Sequence, residues 1–204
     1  MPDSTHAQSA FRTAAGFTLT ELMTVLAVAA ILVSVAVPNV TTFIQNNRLT
    51  AAANDLLRSF QLARTEAIRR QQNVVVCASA NPTAANPSCS YGAFNGWIVF
   101  QDTNSNWQLD AGEPIVERHE LLDSSVTVKT DNNGIESYAA TGFANPAGAK
   151  TPTRNILVCD VRGNQVVAGN SVERAVLIAT TGRARVSKAS ADVSAAAGAA
   201  GACP

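Results

Sequence analysis

From Phe17 to Val37 the chain carries Leu, Val, Ala, Ile, Met, Phe and small hydroxyl residues, interrupted by one carboxylate, Glu21. As a helix, the 22 residues from Phe17 to Pro38 rise about 33 Å, enough to cross a hydrocarbon core. An acidic group near the bilayer interior costs roughly 2.5–3.5 kcal/mol on insertion scales, so Glu21 needs a partner or a function. Beyond Pro38 the pattern becomes one-sided. Phe43, Ile44, Leu49, Ala52, Ala53, Leu56, Phe60, Ala63, Ala67 and Ile68 recur every three or four positions, the mark of a single buried stripe. The spacing predicts one helix from about Phe17 to Gln71, roughly 80 Å long. Its first half belongs in lipid and its second half against a domain. Pro38 is expected to bend it. Arg64, Arg69 and Arg70 fall near its end, where cations suit the negative pole, and read as the wet face rather than a nucleic-acid site.

After Gln72 the period shortens to that of strands. Segments 73–79, 96–101, 115–121, 125–129, 154–160 and 172–180 are short, rich in Val and Ile, and divided by Gly, Pro, Asn and Asp. The expected fold is α+β: a long N-terminal α-helix packed on a small antiparallel β domain of two sheets. The boundaries are residues 1–16 as a leader, 17–38 as an apolar helix, 39–72 as its amphipathic half and 73–188 as the globular domain. Residues 189–204 are Ala, Gly and Ser with almost no bulky side chain, so disorder is expected there except where Cys203 ties the tail down. Internal repeats are not evident.

The 204 residues balance 15 basic against 15 acidic groups, but unevenly. Residues 98–149 hold two basic and eight acidic groups, whereas residues 150–204 hold seven and three. The last third is therefore the part suited to anions. Cys77, Cys89, Cys159 and Cys203 allow three disulfide pairings. In an exported chain Cys77–Cys89, closing a short loop, and Cys159–Cys203, pinning the tail, are favoured. A zinc site lacks close cysteine spacing and has only His119 beyond the leader, so no metal or cofactor is expected. No Gly-x-Ser-x-Gly, phosphate loop or acidic–histidine metal pattern is present, and His119 reads as a partly exposed residue in a charged patch. A catalytic role is not expected.

An ordinary secretory signal is cleaved after its apolar core. Here Gly16 precedes the core, behind a short polar leader containing Arg12. With Gly16-Phe17-Thr18-Leu19-Thr20-Glu21 together, this start resembles the class III leader of type IV pilins and type II secretion pseudopilins. The resemblance implies that a prepilin peptidase cuts after Gly16 and methylates the amine of Phe17. It also implies a stem held in the bacterial inner membrane with a periplasmic domain, later drawn into a filament at the cell surface. In such a bundle the carboxylate of Glu21 is expected to pair with the amine of a neighbouring Phe17. Leu62-Ala63-Arg64-Thr65-Glu66-Ala67-Ile68-Arg69-Arg70 and Gly96-Trp97-Ile98-Val99-Phe100 narrow the likeness to the group of minor pilins and pseudopilins that includes FimT, FimU and GspH. Members are non-enzymatic tip or priming subunits whose partners are other major and minor pilins. The type II secretion branch stays open as the alternative to the type IV pilus.

Two local clusters carry candidate chemistry. Asp102 to Glu113 places oxygen-bearing residues at positions 1, 3, 5, 9 and 12 of a calcium-type frame, but Trp107 stands where the sharp turn wants Gly, so an Asn/Asp-rich hairpin connection explains the same residues. Gly182-Arg183-Ala184-Arg185 with Lys188 is the second. Alternation in an extended segment puts Arg183 and Arg185 on one side, about 6.6 Å apart, near the spacing of successive phosphates. Some FimT-type pilins carry a similar Gly-Arg-x-Arg motif, which implies capture of double-stranded DNA, without sequence specificity, for natural transformation. Arg154, Arg162 and Arg174 could widen the patch. A solvated strand end that protects a sheet edge accounts for the run equally well.

Overall fold

The computed structural model describes residues 16–144 and 154–203; residues 1–15 of the expected leader lie outside the described residues. Helix α1 spans Leu19–Arg70. It begins on the hydroxyl of Thr18, which accepts a hydrogen bond from the Glu21 N–H at 3.2 Å, satisfying one of the unpaired donors of the first turn. The chain divides into two units, residues 1–43 and 44–204. In the first, every large apolar side chain from Phe17 to Phe43 is exposed. The helix is long and apolar enough to cross a membrane.

In the second unit the stripe is buried from Leu49 to Ala67, through Ala52, Ala53, Leu56, Phe60 and Ala63, whereas Ile44 and Ile68, expected in the stripe, are exposed at its two ends. Two antiparallel sheets accompany it. The first runs β3 (Ile115–His119), β2 (Trp97–Asp102), β1 (Asn73–Ala78), β5 (Ile135–Tyr138). The second runs β4 (Thr127–Thr130), β6 (Asn155–Cys159), β8 (Asn170–Ile178), with β7 (Val166–Val167) and β9 (Ala184–Ala189) both paired to β8. Alternation sorts the side chains by face. Val74, Val76, Val99, Ile156, Val158, Val176 and Ile178 join the α1 stripe in one core, with Phe60 and Phe94 edge to face at 5.7 Å. Trp97, fully buried, donates from its indole to the hydroxyl of Ser59 on α1 at 2.9 Å, which is why a polar residue stands within the apolar stripe.

The opposite face of the second sheet departs from expectation. Ser190–Ala200 forms a helix, α2, whose Val193 and Ala196 are buried against Leu157 and Ala175. The expected disorder of 189–204 is therefore corrected. Alanine has the highest helix propensity, and a sheet face of Leu and Ala needs only small side chains to cover it. Disulfides join Cys77 to Cys89 and Cys159 to Cys203, and the second holds the end of this helix to the sheet.

Candidate functional site

The segment Gly182 to Lys188 begins in the turn between β8 and β9. Gly182 N–H donates to the Ala179 carbonyl at 2.8 Å, and Ala179 N–H to the Arg183 carbonyl at 2.9 Å. Gly182 has φ +78°, so this is a hairpin closed by a left-handed glycine. A neighbouring turn repeats the arrangement: Gly142, also at φ +78°, donates to the Ala139 carbonyl at 2.8 Å, and Ala139 N–H donates to the Phe143 carbonyl at 3.0 Å. Both turns read Ala-x-Thr-Gly-x-Ala, at 139–144 and 179–184. This short repeat escapes notice in the sequence because only four positions match. The two turns abut, since a Cβ on Gly182 would fall 2.2 Å from the Gly142 carbonyl oxygen. That same oxygen accepts from the Arg64 guanidinium at 2.9 Å, tying α1 to both turns.

Arg183 and Arg185 are exposed and two residues apart in extended chain, so they share a side. With Arg154, Asn155, Leu177 and Ala179 they line a groove of about 470 Å³. The Arg183 side chain has no hydrogen bond or ion pair among the described residues, and Lys188 is exposed outside the groove. Arg185 is different. It forms a forked pair with Asp192 of α2 at 2.7 and 3.2 Å, and this partner draws the Asp192 carboxyl down to about 2. Because α2 was not foreseen, neither was this neutralising contact.

Of the three arginines considered for widening the patch, only Arg154 lines the groove. Arg162 binds Asp160 and the Asn46 side chain, at 2.7 and 3.0 Å. Arg174 turns to Thr50 and to backbone carbonyls of its own strand. Both brace α1 instead.

Arg154 reaches from the groove to Glu136 of β5 at 3.0 Å, and Glu136 is completely buried. Burial outweighs the attraction of Arg154 and pushes the Glu136 carboxyl up to about 8 from an ordinary 4.5. The unfolded chain loses this proton near 4.5 and the folded chain near 8, so the native state loses stability as pH rises between those values. Glu136→Gln should therefore gain thermal stability on the wild type as melts are moved from about pH 5 to about pH 8. A gap that does not change with pH would contradict this.

In the Asp102–Glu113 loop, Asp102 accepts from the Asn106 and Trp107 N–H groups at 3.2 and 3.0 Å. Glu113 accepts from the Thr103 N–H and the Asp110 N–H, and Asp110 accepts from the amides of Asn104 and Asn106. The oxygens that would hold calcium are engaged in closing the connection, and Trp107, at φ +61°, is buried beneath it. His119 stacks on Trp97 with ring centroids 3.7 Å apart, and its Nε2 lies 3.6 Å from Asp55; it packs the edge of the first sheet. Glu66 gathers Arg69 and Arg70, whose hydrogen bonds hold its carboxyl near 2. Arg69 thus acts within the helix, while Arg70 also donates to the Gln101 side chain of β2 at 3.0 Å.

An apolar stem helix running into a two-sheet antiparallel domain defines a pilin-type subunit. Residues 11–37 match the prokaryotic N-terminal methylation motif. Residues 52–182 match the family described as type II transport protein GspH, and the chain belongs to that family. It is a subunit of the minor pilin and pseudopilin class, whose members are structural and assemble with other pilins. Among solved structures, the chain is similar to the type IV minor pilin FimU of Pseudomonas aeruginosa strain PAO1. The identity is 19% over 73% of this chain and 94% of that one, with a TM-score of 0.47. It is also similar to the minor pseudopilin EPSH from the type II secretion system of Vibrio cholerae, at 11% identity over 71% and 96% of the two chains and a TM-score of 0.46. No curated protein matches the chain.

Proposed function

We propose that this chain is a minor pilin of a type IV pilus, cut after Gly16, methylated at Phe17 and held by its first helix in the inner membrane until it enters a filament. There it acts at or near the tip as a priming subunit, and it binds double-stranded DNA through Arg183 and Arg185. The observation that supports the DNA reading is that both arginines line one groove with Arg154, on the most basic third of the chain. Contacts to two or three phosphates give weak, sequence-independent binding that falls steeply with salt. The full-length chain in detergent should retard duplex DNA at low salt and lose roughly tenfold or more of its affinity between 50 and 200 mM salt. Arg183→Gln with Arg185→Gln should abolish the shift. Asp192→Asn, which removes the anion paired with Arg185, should strengthen it. A shift that survives the double substitution would discard the DNA role.

The second reading, a pseudopilin of a type II secretion system, is favoured by the description of the family matched over residues 52–182. Loss of protein secretion, with pili intact, in cells lacking the chain would select it.

A further inference from the structure

Beneath α2, on the face of the second sheet turned away from α1, lies a carboxylate that the fold does not use. Val158 pairs with Arg174 in the β6–β8 register, so the next residues along, Cys159 and Glu173, stand side by side on the face that carries Leu157 and Ala175. Glu173 is 1% exposed, and neither of its carboxylate oxygens has a hydrogen-bond partner among the described residues. Among the described residues no cation pairs with it: Arg162 is taken by Asp160, and Arg174 by Thr50 and backbone carbonyls. Burial, with Asp160 adding repulsion, pushes its pKa up. Even as a neutral acid it has an unmet donor and acceptor, which is costly in an apolar site. Its unusual neighbour is the disulfide. A carboxylate oxygen of Glu173 and the sulfurs of Cys159 and Cys203 all lie within 4.8 Å of one another.

We propose that the dithiol form of Cys159 and Cys203, together with Glu173, is a Zn²⁺ site that precedes the disulfide. Two thiolates and a carboxylate match the ligands zinc takes, at about 2.3 Å for sulfur and about 2.0–2.2 Å for oxygen, with a fourth position left for water. Sequence spacing hides the set, because its members come from β6, β8 and the residues after α2. The ion keeps these two sulfurs together and away from Cys77 and Cys89 while the chain folds. Conversion is a thiol–disulfide exchange. The two bound thiolates, a disulfide oxidant and two protons yield the Cys159–Cys203 bond, two reduced thiols of the oxidant and free Zn²⁺. Glu173 is left without a partner, as it stands in the oxidised fold.

The test uses the full-length chain in detergent, reduced with a phosphine, and titrated with Zn²⁺ against a chromogenic chelator. One Zn²⁺ per chain is expected, with none bound by the oxidised chain. Cys203→Ser should abolish binding, and Glu173→Gln should weaken it by at least the roughly tenfold that loss of even an outer-shell partner costs. In the wild type, Zn²⁺ should protect Cys159 and Cys203 from alkylation but leave Cys77 and Cys89 reactive, a readout that needs no variant to fold. Absence of binding by the reduced chain, protection of Cys77 and Cys89 instead, or full affinity in Glu173→Gln would each overturn the proposal.

Discussion

Filaments sheared from cells making only the Glu21→Ala chain should contain about tenfold less of it, or lower still, than filaments from wild-type cells, with cleavage after Gly16 unchanged. The carboxylate stands in an otherwise uncharged stretch where each neighbouring large apolar side chain, from Phe17 to Leu26, is exposed and available for packing in a bundle. The proposed charged hydrogen bond to the amine of an adjacent Phe17 would contribute about 1.5–3 kcal/mol, and 1.4 kcal/mol corresponds to a factor of ten. On this reading the variant keeps its apolar packing and loses the axial register. Thr18 and Glu21 also have the spacing of a capping box, and the Thr18 hydroxyl accepts from the Glu21 N–H. Thr18→Ala separates capping from pairing. It removes the cap and leaves the carboxylate, so it should assemble nearly normally. Wild-type amounts of Glu21→Ala in filaments would end the pairing argument.

The second large effect falls on Gly182. An alanine there adopts φ +78° and places its Cβ 2.2 Å from the carbonyl oxygen of Gly142, which is backbone and cannot swing aside. The left-handed conformation costs roughly 1–2 kcal/mol, and the forced separation of the two turns adds about 1–3 kcal/mol. A loss of about 2–5 kcal/mol should lower the melting temperature of a domain this size by roughly 5–20 °C. Gly169 is the internal control, since it has the same φ of +78° but nothing within 4 Å of an added Cβ. Gly169→Ala should show only the conformational part. Equal melting shifts for the two would mean that the turns do not press on each other. The glycine of the Gly-Arg-x-Arg run is thus explained by chain geometry, whatever its arginines bind.

Legibility followed the strength of local pattern. The buried stripe on α1 could be read residue by residue from Leu49 to Ala67, because a helix with one wet face leaves a repeat that nothing else imitates. Six strands could be placed within two residues or so, since Val and Ile runs bounded by Asn, Asp and Gly have few other outcomes. The strand Ile135–Tyr138 was illegible. It has only four residues and spends two of them on Glu136 and Ser137, which are buried although their composition argues for exposure; Glu136 is matched by Arg154, a partner distant in sequence. Strand β9 hid behind its charges, and α2 behind low complexity, although Val193, Ala196 and Ala197 keep a helical interval. Missing α2 carried a further penalty. The Asp192 contact on Arg185, and the burial of Glu173, exist only once that helix is laid on the sheet.

The bond from Cys159 to Cys203 has a mechanical meaning. A pull on the carboxyl end enters the fold at the end of β6, and every element between β6 and Cys203 is bypassed. Strands β7, β8 and β9 and the helix after them therefore bear no tension when the end of the chain is dragged. Shear that would peel an unlinked C-terminal helix from its sheet must instead extract β6, a strand held by β4 on one side and β8 on the other.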